Sequence, residues 1–175
     1  MKVLVPATIV LLVIAAGCAS TASRLGASAT LASTSGSTVS GSVHFTELKD
    51  GEVEVKADLT GLTPGMHGFH IHEKGDCGDN AKNAGGHFNP GSLAHGAPTD
   101  VSHHAGDFGN VTADAKGEVH TTFTTHSVTV AAGPNSVVGH AVVVHEKDDD
   151  LKSQPAGNAG GRFACGVVAL TGGAH

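Results

Sequence analysis

Two histidines two positions apart, His70 and His72 in GMHGFHIHEKGDC (65–77), limit what this chain can fold into. Two is the side-chain period of a β-strand, so both imidazoles leave one face while Phe69 and Ile71 leave the other. The neighbouring segments carry the same period. In EVEVKADL (52–59), Val53, Val55, Ala57 and Leu59 share one face, which predicts a half-buried antiparallel strand. GLTPG (61–65) supplies turn residues before GFHIHE. EVHTTFTT (118–125), HAVVVHE (140–146) and RFACGVVAL (162–170) read as three further strands. No segment holds a helical period. Short strands joined by glycine-rich turns predict an all-β sandwich or barrel.

One stretch departs from this rhythm. Residues 74–108 carry Gly75, Gly78, Gly85, Gly86, Gly91, Gly96 and Gly106 and show no strand alternation. Structureless loops longer than about 12–15 residues are uncommon unless they serve a function or are disordered. This one contains His87, His95, His103, His104, Asp76, Asp79, Asp100 and Asp107. A bound metal could organise it, and a link from Cys77 to the last strand could fix one end.

The N-terminus, MKVLVPATIVLLVIAAGCAS, reads as an export signal. Lys2 is its positive end, and the apolar run Val3 to Ala16 is short for a membrane span. Ala15-Ala16-Gly17-Cys18 resembles a bacterial lipobox, in which cleavage leaves the cysteine to carry lipid; the alternative is an ordinary secretory signal with an incidental cysteine. The chain therefore divides into a signal peptide (1–17), a lipidated Cys18 heading a flexible Ser/Thr/Ala/Gly tether (18–38), and a folded domain (39–175). Ala19 is not the Asp that favours inner-membrane retention, so the expected location is the periplasm or cell envelope, on the outer membrane. With Cys18 set aside, Cys77 and Cys165 remain, and an oxidising compartment implies one disulfide between them. The formal net charge of −6, without Trp or Tyr, argues against a nucleic-acid partner.

Four imidazoles, His70, His72, His87 and His145, suit copper, zinc or iron. His95, His104 and Asp107 need one more nitrogen to close a tetrahedral zinc site, and His87 is the nearest candidate. An imidazole has two ring nitrogens, so His87 could serve both ions.

Five segments in order, GMHGFHIHEKGDC, GGHFNPGSLAHGAP, HHAGDFGNVTAD, VVVHEKDDD and GNAGGRFACGVV, resemble the copper/zinc superoxide dismutases over roughly residues 40–171. The resemblance implies a Greek-key β-barrel of immunoglobulin-like sandwich type, with about eight antiparallel strands and long metal-binding and electrostatic loops. It implies one copper per subunit on His70, His72, His87 and His145, and one zinc on His87, His95, His104 and Asp107. His87 would bridge the two ions, Arg162 would attract the superoxide anion over the copper, and Cys77–Cys165 would be the disulfide. Asp149 would hydrogen-bond a histidine of each site. His67 resembles a structural histidine, and register to Asp107 selects His104 over His103. His44, His120, His126, His140 and His175 are expected at the surface or in structural roles. Lys147 and Lys152 are candidates for substrate steering. A homodimer is possible, and the sequence leaves the assembly open.

Overall fold

The computed structural model describes residues 24–34 and 36–172. The expected signal segment, Cys18 and His175 lie outside them. Among the described residues there are nine strands: β1 (Gly26–Ser33), β2 (Ser40–Glu47), β3 (Val53–Thr60), β4 (Gly65–His72), β5 (Asp107–Ala113), β6 (Val119–Thr125), β7 (Ala141–His145), β8 (Arg162–Val167) and β9 (Ala169–Thr171). Eight follow one antiparallel path, β5-β4-β7-β8-β1-β2-β3-β6, and β9 joins β1. The sheet curls into a nearly closed all-β barrel, with β5 and β6 at its two ends. Within the described residues no helix is long and apolar enough to cross a membrane.

The barrel forms because alternate side chains meet in one interior. Val53, Val55, Ala57 and Leu59 are buried along β3, as their spacing predicts. Phe45, Leu31, Phe69 and Ile71 are the largest apolar side chains fully enclosed beside them. On β7, Val142 and Val144 join this core, while Ala141 and Val143 turn to a smaller cluster with Ala81, Ala84 and Cys165.

The structure moves one boundary. Residues 26–33, GASATLAS, belong to a strand and not to a tether, so the folded domain begins well before residue 39. Ala27, Ala29 and Leu31 alternate inward, and the backbone pairs with β2 on one side and with β8 and β9 on the other. Small side chains hid this strand. It is held by ladder hydrogen bonds on both edges more than by its own apolar area. β5 was also concealed, because it begins on Asp107 inside the glycine-rich region and has Gly109 at positive φ.

The long loop, from the end of β4 to Asp107, is pinned in the middle. His72 and His87 form an isolated antiparallel bridge. Phe88 N–H donates to the Ile71 carbonyl, Ile71 N–H to Gly106, and Gly106 N–H to Phe88. These bonds bring 86–88 and 106 against the ligand-bearing end of β4. Cys77 and Cys165 are joined as a disulfide, which ties the loop's first part to β8.

Candidate metal centre

The register of β4 with β7 pairs Phe69 with Val144, His70 with Val143 and His72 with Ala141. His70, His72 and His145 therefore leave the barrel wall on its outer side, beneath the two long loops. His87 completes the first group, and His87, His95, His104 and Asp107 form the second. Within each group the potential ligand atoms lie within 4.8 Å of one another, and every residue is buried. His87 belongs to both.

Hydrogen bonds decide which nitrogen each ring offers. His70 Nε2 donates to Asp149 Oδ2 at 2.8 Å, leaving Nδ1 facing the cluster. His72 Nδ1 donates to the Gly85 carbonyl at 3.0 Å, leaving Nε2, which lies 3.3 Å from His145 Nε2. His95 Nε2 donates to Asp149 Oδ1 at 3.0 Å, leaving Nδ1. A partner on one ring nitrogen fixes the tautomer and aims the other. His70 Nδ1, His87 Nε2, His95 Nδ1 and His104 Nδ1 are buried and have no hydrogen-bond partner. Such orphaned atoms are costly in a folded interior unless something accepts their lone pairs.

Asp107 Oδ1 gathers the second group, at 2.7 Å from His87 Nδ1, 3.0 Å from His95 Nδ1 and 3.2 Å from His104 Nδ1. A tetrahedron with bonds near 2 Å has edges of about 3.3 Å, so three nitrogens and one oxygen at these separations suit zinc. The other carboxylate oxygen accepts the backbone N–H groups of His104 at 2.8 Å and Gly96 at 3.2 Å. Burial alone would raise the Asp107 pKa, but the His87 ring and the His104 N–H hold it well below the ordinary carboxylate value. The all-imidazole group suits copper. Both donor sets fit the metals that the sequence implied.

Burial also keeps the imidazoles neutral, the form that binds metal. It pushes His70 and His72 well below 6.5, with neighbouring histidines adding to the effect. It lowers His145 to about 4, with His87 second. Each group has a lower folded than unfolded pKa, so the unfolded chain takes up protons first as pH falls. Stability is then fully present above about 6.5 and is lost as pH drops toward the folded value, about 4 for His145. Urea midpoints of the metal-free protein will fall steadily across that window, and a flat profile would contradict the neutral assignment.

Asp149 is buried while Asp148 and Asp150 are exposed, which separates the carboxylate that contacts His70 and His95 from its acidic run. Asn110 of β5 holds it in place. Asn110 Oδ1 accepts Asp149 N–H at 2.7 Å, and Asn110 Nδ2 donates to the Asp149 carbonyl at 2.9 Å. Gly157, at φ +64°, gives Asp149 room: a Cβ there would stand 1.7 Å from Asp149 Oδ1 and 2.8 Å from His95 Nε2. Sequence reasoning missed Asn110, since an asparagine in GNVTAD carries no signal of its own.

The copper group opens on a cavity of about 250 Å³ whose lining includes His72, His87, His145, Pro155, Gly160 and Arg162. Arg162 is held beside it by the carbonyls of Ala81 and Gly85. Neither Lys147 nor Lys152 is part of this lining. His67 belongs to neither group; it is buried against the carbonyls of His145 and Thr63 and so supports the backbone of one ligand. His103 is turned to the His104 carbonyl. His44 and His126 are exposed, His120 pairs with Asp58, and His140 lies tilted against the Phe88 ring.

Compared with known proteins, residues 39–168 match the family described as copper/zinc superoxide dismutase. The chain is also similar to a solved structure titled as a crystal structure analysis of the clock protein EA4. The two are 40% identical, and the match covers 85% of this chain and 96% of that one with a TM-score of 0.77.

Proposed function

The chain belongs to the copper/zinc superoxide dismutase family, whose oxidoreductases convert two superoxide ions and two protons into dioxygen and hydrogen peroxide, and we propose that this one works outside the cytoplasm with Arg162 and His87 as its catalytic residues. The observation that carries the reading is the pair of buried ligand groups that share His87. When bound, copper supplies one-electron redox chemistry between its +2 and +1 states, while zinc, with its filled d shell, supplies a fixed positive charge.

The chain's own residues do the rest. Arg162 is the one cation among the cavity-lining residues, which include no carboxylate. A small anion is drawn to it although the whole chain carries −6, because a narrow mouth focuses the local field. The carbonyls of Ala81 and Gly85 keep the guanidinium from swinging away. His87 Nε2 faces the copper group while Nδ1 stays against Asp107, so Nε2 can hold a proton and pass it to the reduced substrate. Asp149 keeps His70 and His95 turned the right way throughout.

The disulfide supports an oxidising compartment. Within this reading, export is directed by residues 1–17, Cys18 carries the lipid, and the outer membrane holds it. No dimer is required for the site, since all seven ligands come from one chain.

The test is superoxide removal by the purified chain loaded with both metals, beside Arg162→Ala. The parent will be active, and the variant will be slower by roughly 10-fold or more at low salt, with weaker salt dependence and unchanged metal content. An inactive loaded parent defeats the activity, and an unaltered variant removes Arg162 from it. Radiolabelled palmitate retained by Cys18→Ser would defeat the anchor.

A further inference from the structure

Gln154 lies in the loop between β7 and β8 and helps to line the cavity. Its amide is occupied elsewhere. His95 N–H donates to Gln154 Oε1 at 2.9 Å, and Gln154 Nε2 donates to the His95 carbonyl at 2.8 Å. One side chain thus satisfies both main-chain groups of a metal ligand 59 positions away, as a neighbouring strand would. The His95 ring is held separately, by Asp149 through Nε2. Backbone and ring of the same residue are therefore gripped by two residues of one loop.

We propose that Gln154 is a positioning residue for His95, which fixes the backbone from which that ligand reaches the zinc site. His95 needs such help. It sits in the strandless region between β4 and β5, where no ladder sets its φ and ψ, unlike His70 and His72. A ring pinned at Nε2 alone can still pivot if its Cα shifts, and Nδ1 would then leave the Asp107 group. The clamp removes that freedom. It also ties Pro155, the next residue and part of the copper mouth, to the zinc-side loop. Asn110 does the same for Asp149, so each end of the Asp149–His95 contact has its own side-chain amide clamp.

This inference rests on the zinc assignment, and the test separates the two. Full-length protein carrying copper, with cobalt(II) in the zinc site, is compared with Gln154→Met and Gln154→Glu. Methionine keeps the volume and loses both hydrogen bonds to His95 together with the one to the Lys152 carbonyl. Glutamate keeps the acceptor for His95 N–H and sets a carboxylate against its carbonyl. Both variants will fold, as judged by circular dichroism, because the side chain is outside the core. The cobalt visible bands will change in both variants. Release of cobalt to a chelator will quicken by roughly 10–100-fold in Gln154→Met and by less in Gln154→Glu. His95 amide exchange will quicken in the methionine variant. Parent-like bands and release in Gln154→Met overturn the clamp. A parent that takes up no cobalt overturns the zinc assignment and the clamp with it.

Discussion

Asp107→Asn will strip zinc from the protein and cost stability even before metal is considered. The substitution is isosteric, so the argument turns on charge and on hydrogens alone. Asp107 uses one oxygen to face three imidazole nitrogens and the other to accept the His104 and Gly96 N–H groups. An asparagine cannot do both. With its oxygen toward the histidines, its NH₂ meets two backbone donors. Turned over, it points the NH₂ at the ligand atoms. Either way a fully buried polar group loses its partner, at about 1–3 kcal/mol, and the site loses its one anionic ligand. Zinc affinity will fall by more than about 100-fold, beyond the range of losses seen when only an outer partner is removed. Equilibrium dialysis against a zinc indicator will read it. Retained affinity would show that Asp107 is not a ligand.

Cys165→Ser, or reduction of the parent, will lower the unfolding temperature by on the order of 10 °C and slow turnover at the same time. The bridge spans 88 positions. In the chain-entropy account a loop of that size is worth about 4–5 kcal/mol, and native disulfides measure about 2–5. In a domain of this size one kcal/mol moves the midpoint by roughly 2–4 °C. The loss of activity has a different route. Cys77 anchors the segment whose Ala81 and Gly85 carbonyls hold Arg162, and Gly85 also fixes the His72 tautomer. Freed at Cys77, that segment releases both. Scanning calorimetry and superoxide assays on reduced, metal-loaded protein will test this. A melting point unchanged by reduction would count against the energetic argument, and a full rate in reduced protein against the positional one.

The sequence exposes residues whose role is set by spacing. Val53 to Leu59 alternate, so β3 is legible. His70 and His72 share a face, so half of the copper group is legible from strand geometry alone. The remaining ligands needed the resemblance of whole motifs, because a coil gives no rule for where His95 or His104 will point. Which nitrogen each ring offers was not legible at all. It depends on Asp149, Gly85 and Asp107, which approach from other parts of the chain. Gln154 and Asn110 were invisible for the same reason: an amide that grips a distant backbone has no local pattern. β1 reads as a tether in the sequence because alanine and serine look alike in a tether and in a strand held at both edges, and only the partners distinguish them.

β1 also bears on how a molecule anchored as proposed would stand. Its first residue, Gly26, lies beside Thr46 and Thr171 at one end of the barrel. Its far end reaches Ala164, and Thr34 just beyond bonds to the Arg162 and Phe163 carbonyls. Eight residues of strand separate the two by about 25 Å. From Cys18 to Arg24 even a straight leash measures at most about 22 Å. On the proposed anchor the tether enters at the Gly26 end of the barrel, and the end that carries Thr34 and Arg162 stands farther from the lipid.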